Sequence, residues 1–348
     1  EAACCSMSWT GCDGITRALY RAMAIGVCVL AAGASVWVCV PVHAQAQADD
    51  GASRKVLLIN SYHSGYEWSD RIEAGLRDTL APLEDVELHV EYLDSRRYDA
   101  SRYIAQELAF MRQKYRPGEV AVVVASDDAA LDLLLEHPDF LPQAPVVFCG
   151  INDSDPARWR GKRDQVTGVV EDLSLVETIE VAKRVQPGLQ RMIVVHNEDR
   201  TALAILDRLE SRAQVWSRTL TLEAWSGRSA MRLEEDLAGL SPKTDAVILL
   251  GAATDVEGRP LSVRETRRRV AAASAAPVYG FWYSSIAEGV LGGCVISGRR
   301  QGEQAGQLAR QILGGTDASQ IPVVQQSPNV YCFDWEAMQR FGVEVSEM

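Results

Sequence analysis

Cysteine is scarce over most of this chain. Of its eight cysteines, five (Cys4, Cys5, Cys12, Cys28 and Cys39) fall within the first 46 residues, leaving Cys149, Cys294 and Cys332 for everything after. Three thiols so far apart make no disulfide framework, and they lack the spacing of zinc ligands. They read as small buried hydrophobes at strand ends, with room for one disulfide in an oxidising compartment. Histidine is equally thin, at five, one of them (His43) in the leader, and no two sit on a helix as metal ligands would. There is no Gly-x-Ser-x-Gly, His-Glu-x-x-His, Cys-x-x-Cys or phosphate loop, so no catalytic motif supports an enzyme. Positive charge is in deficit, 35 Lys+Arg against 47 Asp+Glu. That balance disfavours sequence-independent nucleic-acid binding, which needs basic side chains to displace counterions, and attachment to anionic lipid. Low-complexity segments are absent, and a charged share of 24% suits a globular protein.

What the chain does have begins with a leader. Residues 22–42 carry no charged side chain, Arg17 and Arg21 precede them, and Val42-His43-Ala44-Gln45-Ala46 follows. A basic start, an apolar stretch and an Ala-x-Ala exit make an export signal with cleavage expected after Ala46. The apolar stretch is also long enough for an uncleaved membrane anchor. Met7 is the expected start of translation, and the context of Cys28 and Cys39 does not resemble a lipid-attachment box. Removing residues 1–46 takes away two acids (Glu1, Asp13) and two bases (Arg17, Arg21), so the net charge of −12 belongs to the exported part.

From Lys55 the chain alternates. Continuous apolar runs at 55–60, 86–93, 120–125 and 145–149 read as buried parallel strands. Helical spacing separates them at 68–80, 99–115 and 126–136. Repeated βα units imply a parallel sheet covered on both faces. The polar stretch 153–165, with Pro156 and Gly161, marks a crossover into a second series. Helices are expected there at 173–185, 201–213, 230–240, 263–273, 302–313 and 335–341, with strands at 191–196, 220–224, 246–250, 278–281, 295–297, 323–325 and 329–333. The two series share a plan but not a sequence. In such sheets ligands bind beyond the carboxyl ends of the strands, where strand order reverses, and two facing lobes make a cleft that a small ligand closes.

Several groups sit at those strand exits. Ser61-Tyr62-His63-Ser64-Gly65-Tyr66-Glu67-Trp68 is dense in rings and hydrogen-bonding groups. It reads as a ligand loop, or else as the capped start of a helix with aromatics over the sheet edge. Ser126-Asp127-Asp128 opens a helix, where Ser and Asp serve as caps, yet an ionised Asp127 facing the cleft would favour an ammonium-bearing ligand. Phe281-Trp282-Tyr283 offers an aromatic platform or hinge packing. Asn152, Glu171, Asn197, Asp199 and Asp255 follow strands or the crossover and carry little signal singly. Gly289-x-x-Gly292-Gly293 reads as a tight turn and Arg267-Arg268-Arg269 as a solvated helix face. The enzymatic alternative is a hydrolase or isomerase using Asp127 or Asp255 with His63.

Three segments together resemble the ABC-transporter substrate-binding-protein-like family: Val56-Leu57-Leu58-Ile59-Asn60-Ser61-Tyr62-His63-Ser64-Gly65-Tyr66-Glu67-Trp68, Ala125-Ser126-Asp127-Asp128-Ala129-Ala130, and Pro145-Val146-Val147-Phe148-Cys149-Gly150-Ile151-Asn152. Residues 302–315 and the following Ile321-Pro322-Val323 add to the resemblance, which spans roughly 55–342. It implies the α/β, two-lobed type I periplasmic-binding-protein fold, each lobe a parallel sheet flanked by helices, with the ligand cleft between lobes. The implied layout is residues 1–46 as signal or anchor, 47–153 and 282–333 as lobe 1, 154–281 as lobe 2, and 334–348 as a C-terminal helix and tail. By matching position, Ser61, Tyr62, His63, Ser126, Asp127, Asn152 and Trp282 would line the cleft. The form of the first loop is similar to the sensor branch of the family, the extracytoplasmic domains of histidine kinases and diguanylate cyclases. The expectation is therefore a non-enzymatic periplasmic sensor module, free of cofactor and metal, that closes on a small organic solute, amino-acid-like or aromatic, and signals to a membrane-embedded transmitter. The alternative is the receptor of an ABC importer, with the permease as partner. No transmitter is present in these residues, so a sensor would be a fragment ending near Met348 or would act through a separate partner.

Overall fold

The computed structural model describes residues 53–344, apart from positions 153, 154, 160, 199, 214, 215, 217, 218 and 252. The leader, its five cysteines, Met7, Asp199 and the tail beyond residue 344 lie outside the described residues.

The first apolar run becomes β1 (Arg54–Asn60), buried over its last five residues. Its alternation explains both layers around the sheet. Val56 and Leu58 point into one apolar cluster with Ile72, Leu76, Ala305 and Leu308, while Leu57 and Ile59 point into another with Leu108, Met111 and Leu134. A strand buried on both faces needs no polar positions, which is why the run is continuous. The first sheet runs β2 (Val86–Tyr92), β1, β3 (Val120–Ser126), β4 (Val146–Ile151), β5 (Val166–Val170), all parallel. Helices α1 (Glu67–Leu80), α2 (Ile104–Lys114) and α3 (Asp128–Glu136) connect its strands.

The second series repeats the plan. After α4 (Leu175–Val185) come β6 (Arg191–Val195), α5 (Arg200–Ala213), β7 (Thr221–Trp225), α6 (Ala230–Ala238), β8 (Asp245–Leu249), α7 (Val263–Ala273), β9 (Val278–Tyr279) and β10 (Gly292–Val295). The sheet order is β7-β6-β8-β9-β10, the order of the first sheet strand for strand, with β11 (Val330–Phe333) added antiparallel at the edge. Strand order thus reverses between β1 and β3 in one lobe and between β6 and β8 in the other. The expected two-lobed α/β fold is what the chain adopts.

Local boundaries differ from expectation in several places. The crossover comes one strand later, because the short run Val166–Val170, interrupted by Gly168, pairs with β4 as the edge of the first sheet. The Gly292–Gly293 pair, expected in a turn, forms β10, so β10 and β11 extend the second sheet. A Cβ on Gly292 would stand 2.0 Å from the Cys332 carbonyl oxygen, so only glycine lets β11 approach there. The strand expected at 323–325 reduces to a single bridge, Val169 with Val324. The three cysteines after the leader are free thiols, Cys149 and Cys294 buried and Cys332 half-buried. Among the described residues no helix is long and apolar enough to cross a membrane.

The chain passes between lobes three times. It leaves lobe 1 after β5, returns after β10 into α8 (Gly298–Leu313), and leaves again after Val324 towards β11 and α9 (Trp335–Phe341). Helix α8 starts four residues earlier than its periodicity suggests, because Ser297 caps it by accepting from the Arg300 N–H. It lies on α1 at backbone distance. A Cβ added to Gly302 would sit 2.1 Å from the Ile72 carbonyl oxygen, and one on Gly75 2.1 Å from that of Arg299. Neither helix can move aside, since each is also packed on β1 or its neighbours. The Gly302→Ala variant is therefore expected to lose at least about 2 kcal/mol of stability. Gly239→Ala, at a right-handed helix end whose nearest atom is 3.5 Å away, should stay within about 0.5 kcal/mol. Urea unfolding of the two variants makes the comparison.

Candidate functional site

A cavity of about 290 Å3 opens where the carboxyl ends of the first sheet face the second lobe. Every strand exit of the central first sheet contributes to it: Tyr62 after β1, Arg96 after β2, Asp127 after β3, Asn152 after β4 and Glu171 after β5. Helix α1 adds Trp68 and Arg71, three residues apart and hence on one face. The second lobe supplies Trp282 and Tyr283 after β9 and Ile296 after β10.

Rings dominate one side. Tyr62 meets Tyr66 edge-on at 5.2 Å between centroids. The Arg96 guanidinium lies 4.9 Å from the Tyr66 ring and 5.8 Å from that of Tyr62, and Arg71 lies 4.1 Å from Tyr283. Arg71 is also paired with Glu67 at 2.8 Å. Both guanidiniums thus cover aromatic faces, an arrangement that holds the rings in place.

Carboxyls define the floor. Asp127 is 6% exposed and adopts φ 67°, ψ 173°, a region comfortable only for glycine. Its backbone N–H donates to the Cys149 carbonyl, and its own carbonyl accepts from Leu131. The Trp68 indole Nε1 donates to both carboxylate oxygens, at 3.1 and 2.9 Å, and the Ser126 hydroxyl donates to Oδ2 at 2.9 Å. Burial nonetheless outweighs these donors and pushes Asp127 up to about 7. Glu171 goes higher, to about 8, driven first by burial and then by the charges of Asp127, Asp128 and Asp172. Burial, and after it the Asp127 carboxylate, also push the Tyr62 hydroxyl upward.

Of the seven residues expected to line the cleft, the structure brings Tyr62, Asp127, Asn152 and Trp282 to this cavity. Ser61, His63 and Ser126 are not in its wall. The Ser61 hydroxyl is buried, donating to the Ser126 carbonyl at 2.7 Å and accepting from the Ala130 N–H at 2.9 Å, so it braces the start of α3. Ser126 gives its hydroxyl to Asp127. His63 turns its Nδ1 onto the Ser64 carbonyl and packs on Tyr66. All three support the wall from behind or beside it. Asp255 does not join His63 in a catalytic pair. It closes its own turn by accepting from the Glu257 and Arg259 N–H groups and pairing with the Arg259 side chain.

Tyr66 and Trp68 were in the loop singled out from sequence, and the helical step from Trp68 to Arg71 was there to be read. Glu171 was weak because β5 before it went unrecognised. Arg96 left no signal beyond its place after a strand.

The second lobe has its own hollow, about 240 Å3, at the equivalent exits. It is lined by His196 and Asn197 after β6, by Trp225 and Arg228 around the end of β7, and by Thr254 after β8. The Arg228 guanidinium lies 3.8 Å from the Trp225 ring and pairs with Asp236 at 2.7 Å.

The crossings are laced together beside the cavity. The fully buried Gln301 amide accepts from the Gly150 N–H at 3.1 Å and donates to the Val170 carbonyl at 3.1 Å and the Ser327 hydroxyl at 3.2 Å. Asn329 continues the chain, donating to the Asp172 carbonyl and the Ser174 hydroxyl, both at 2.7 Å.

A cavity between two lobes, built from strand exits and held by a laced hinge, defines a solute-binding protein. The comparisons agree with that class. The family of ABC transporter substrate binding proteins matches residues 69–348, and the chain belongs to it. No curated protein matches the chain in sequence. Among solved structures it is similar to CD0873, a substrate binding protein with adhesive properties from Clostridium difficile, in its ligand-free open form. The TM-score is 0.64 and the identity 15%, over 84% of this chain and 96% of that one. It is also similar to the ABC domain in complex with L-Trp from Streptococcus pneumonia, with a TM-score of 0.51 and 18% identity over 85% and 97% of the two chains. A periplasmic ribose ABC transporter from Conexibacter woesei gives 0.52 and 13% over 84% and 96%. At these identities the likeness establishes the type I periplasmic-binding-protein fold.

Two carboxyls that hold protons in the folded state and release them when unfolded lower stability as pH rises. Folded Asp127 and Glu171 titrate at about 7 and about 8, whereas unfolded carboxyls titrate near 4. Between those limits the native state binds more protons, so stability falls from about pH 4 to about pH 8. The ligand-free protein is therefore expected to melt at a lower temperature at pH 8 than at pH 5.5. The double variant Asp127→Asn/Glu171→Gln should lose most of that slope in a thermal melt across the same buffers.

Proposed function

We propose that this protein is an extracytoplasmic receptor of an ABC importer, closing its two lobes on a small aromatic, amino-acid-like solute. The observation that carries the reading is the single cavity in which Tyr62, Trp68 and Trp282 stand around two carboxyls at the strand exits. Rings supply apolar contact and stacking, while the few polar groups fix orientation. On closing, the hollow at His196, Asn197 and Trp225 becomes the opposite wall, since it occupies the same place in its sheet as the main cavity does in the other. The closed form needs only to bind the solute better than the open form does. Residues 1–46 are the export signal or membrane anchor that brings the chain to the periplasm. Binding and release, rather than turnover, is the whole of its chemistry. The permease is then the partner.

A second reading is a sensor that hands closure to a membrane-embedded histidine kinase or diguanylate cyclase. The specific observation in its favour is the form of the loop from Ser61 to Trp68. Family membership supports the importer reading, which is placed first for that reason.

A calorimetric screen of L-amino acids, aromatic acids, nucleosides and pentoses is the direct test, with tryptophan and ribose as its two poles. Tryptophan or a relative is expected to bind, with a contraction visible in small-angle scattering. Trp282→Ala should weaken that binding about tenfold or more. Failure of every solute with well-folded protein would overturn the receptor reading. Selective binding of ribose would overturn the aromatic one.

A further inference from the structure

The acids around the cavity are not equally provided for. Asp128 pairs with Arg158 at 2.5 Å, and Asp172 pairs with Arg208 at 2.6 Å. Glu67 has Arg71, and Asp127 has the Trp68 indole and the Ser126 hydroxyl. For the Glu171 carboxyl there is no donor or cation within hydrogen-bond reach among the described residues, although it lines the cavity. Its backbone is fixed, since its N–H donates to the Ile151 carbonyl at 2.8 Å. A half-buried carboxyl held in place at the cavity wall and left without a partner is costly in its charged form unless something brings a counter-charge. The Tyr66 and Tyr283 faces already carry Arg96 and Arg71, so the carboxylate is the principal attraction for a cation entering the cavity.

We propose that Glu171 is the seat of a cationic group on the ligand, so that the solute is a ring-bearing organic ammonium and its arrival displaces a proton from this carboxyl. The inference rests on the receptor reading above and narrows it. The exchange balances: the protonated carboxyl gives its proton to solvent, and the ammonium, keeping its own, takes the place of that proton as the positive partner. Position adds a consequence. Glu171 is the first residue after β5, at the start of the first lobe crossing, and the next residue's carbonyl is held by Asn329 of the third. A cation bound there sits at the pivot itself.

Other charges facing Glu171 set the pH range. Tyr62 and Tyr66 come from the β1–α1 loop, Glu67 and Arg71 from α1, and Arg96 from the exit of β2. Asp127, Asp128 and Asp172 act on Glu171 from the β3 exit, α3 and the crossing, and all three hold it protonated. The neighbouring Cys149 of β4 is pushed up first by burial and then by Asp127 and Glu171.

The test uses three probes of one shape: 2-phenylethylamine, 2-phenylethanol and 3-phenylpropanoate, titrated calorimetrically into the protein. The amine is expected to bind at least about tenfold tighter than the alcohol at pH 8. Its affinity should rise about tenfold or more between pH 6.5 and 8.5, because Glu171 titrates at about 8 while an alkylammonium keeps its proton throughout. Titration in two buffers of different ionisation enthalpy should show protons released. Glu171→Gln should remove both the preference and its pH dependence, whereas Asp172→Asn, whose carboxyl already has Arg208, should keep them. Equal or tighter binding of the alcohol or the acid would overturn the proposal. So would an unchanged preference in Glu171→Gln, or no binding by any of the three. A neutral or anionic solute emerging from the broad screen would also end it while leaving the receptor reading intact.

Discussion

The contact of α8 on α1 through bare glycine backbone is the constraint on which the remainder rests. Helix α8 follows β10 of the second sheet, yet it packs in the first lobe, because Gly302 and Gly75 admit the Ile72 and Arg299 carbonyls to a depth no side chain would allow. That seam ties the lobes into one unit and fixes the helix that presents Trp68 and Arg71 to the cavity. It also seats Gln301 one residue before the close approach, where its amide reaches three separate stretches of chain. Site and hinge are therefore positioned by the same pair of helices.

The site built on this frame holds strain and charge in reserve. Asp127 keeps a backbone conformation that costs of order 1–3 kcal/mol for a residue with a side chain, and its neighbour Glu171 has no hydrogen-bond or ion-pair partner among the described residues. Neither feature helps the empty protein. In the reading proposed above, a ligand cation at Glu171 would supply what that wall omits and so favour the closed, loaded form. Arg96 and Arg71 form no ion pair with Asp127 or Glu171; they lie over Tyr66 and Tyr283, and Arg71 pairs with Glu67.

Much of this was written in local patterns. The run from Val56 to Ile59 gave a strand buried on both faces, and the spacing of Ile72, Leu76 and Leu80 gave the face of α1 that meets it. Two such series in succession were enough for the two-lobed fold. What escaped was set by contacts distant in sequence. Val166–Val170 is too short and too broken by Gly168 to announce itself, and it is a strand because β4 lies beside it. Gly292 and Gly293 have the composition of a turn, yet β11 returns from nearly forty residues on to pair with them. In the site, Tyr62, Asp127, Asn152 and Trp282 were legible as groups at strand exits. Ser61 and Ser126 shared the same position, but their hydroxyls are taken up within the protein, that of Ser61 by backbone at the start of α3 and that of Ser126 by the Asp127 carboxylate. Glu171 could not stand out before β5 was known.

The laced crossings carry one last implication. A single linker would let the lobes swivel as well as bend, and two would define an axis. Three, at residues 171–174, 296–297 and 325–329, joined through Gln301, Ser327 and Asn329, leave essentially one angular coordinate. In the receptor reading proposed above, whatever the cavity grips would set an opening angle along that coordinate, and the outer surface would present the angle rather than the chemistry of the solute.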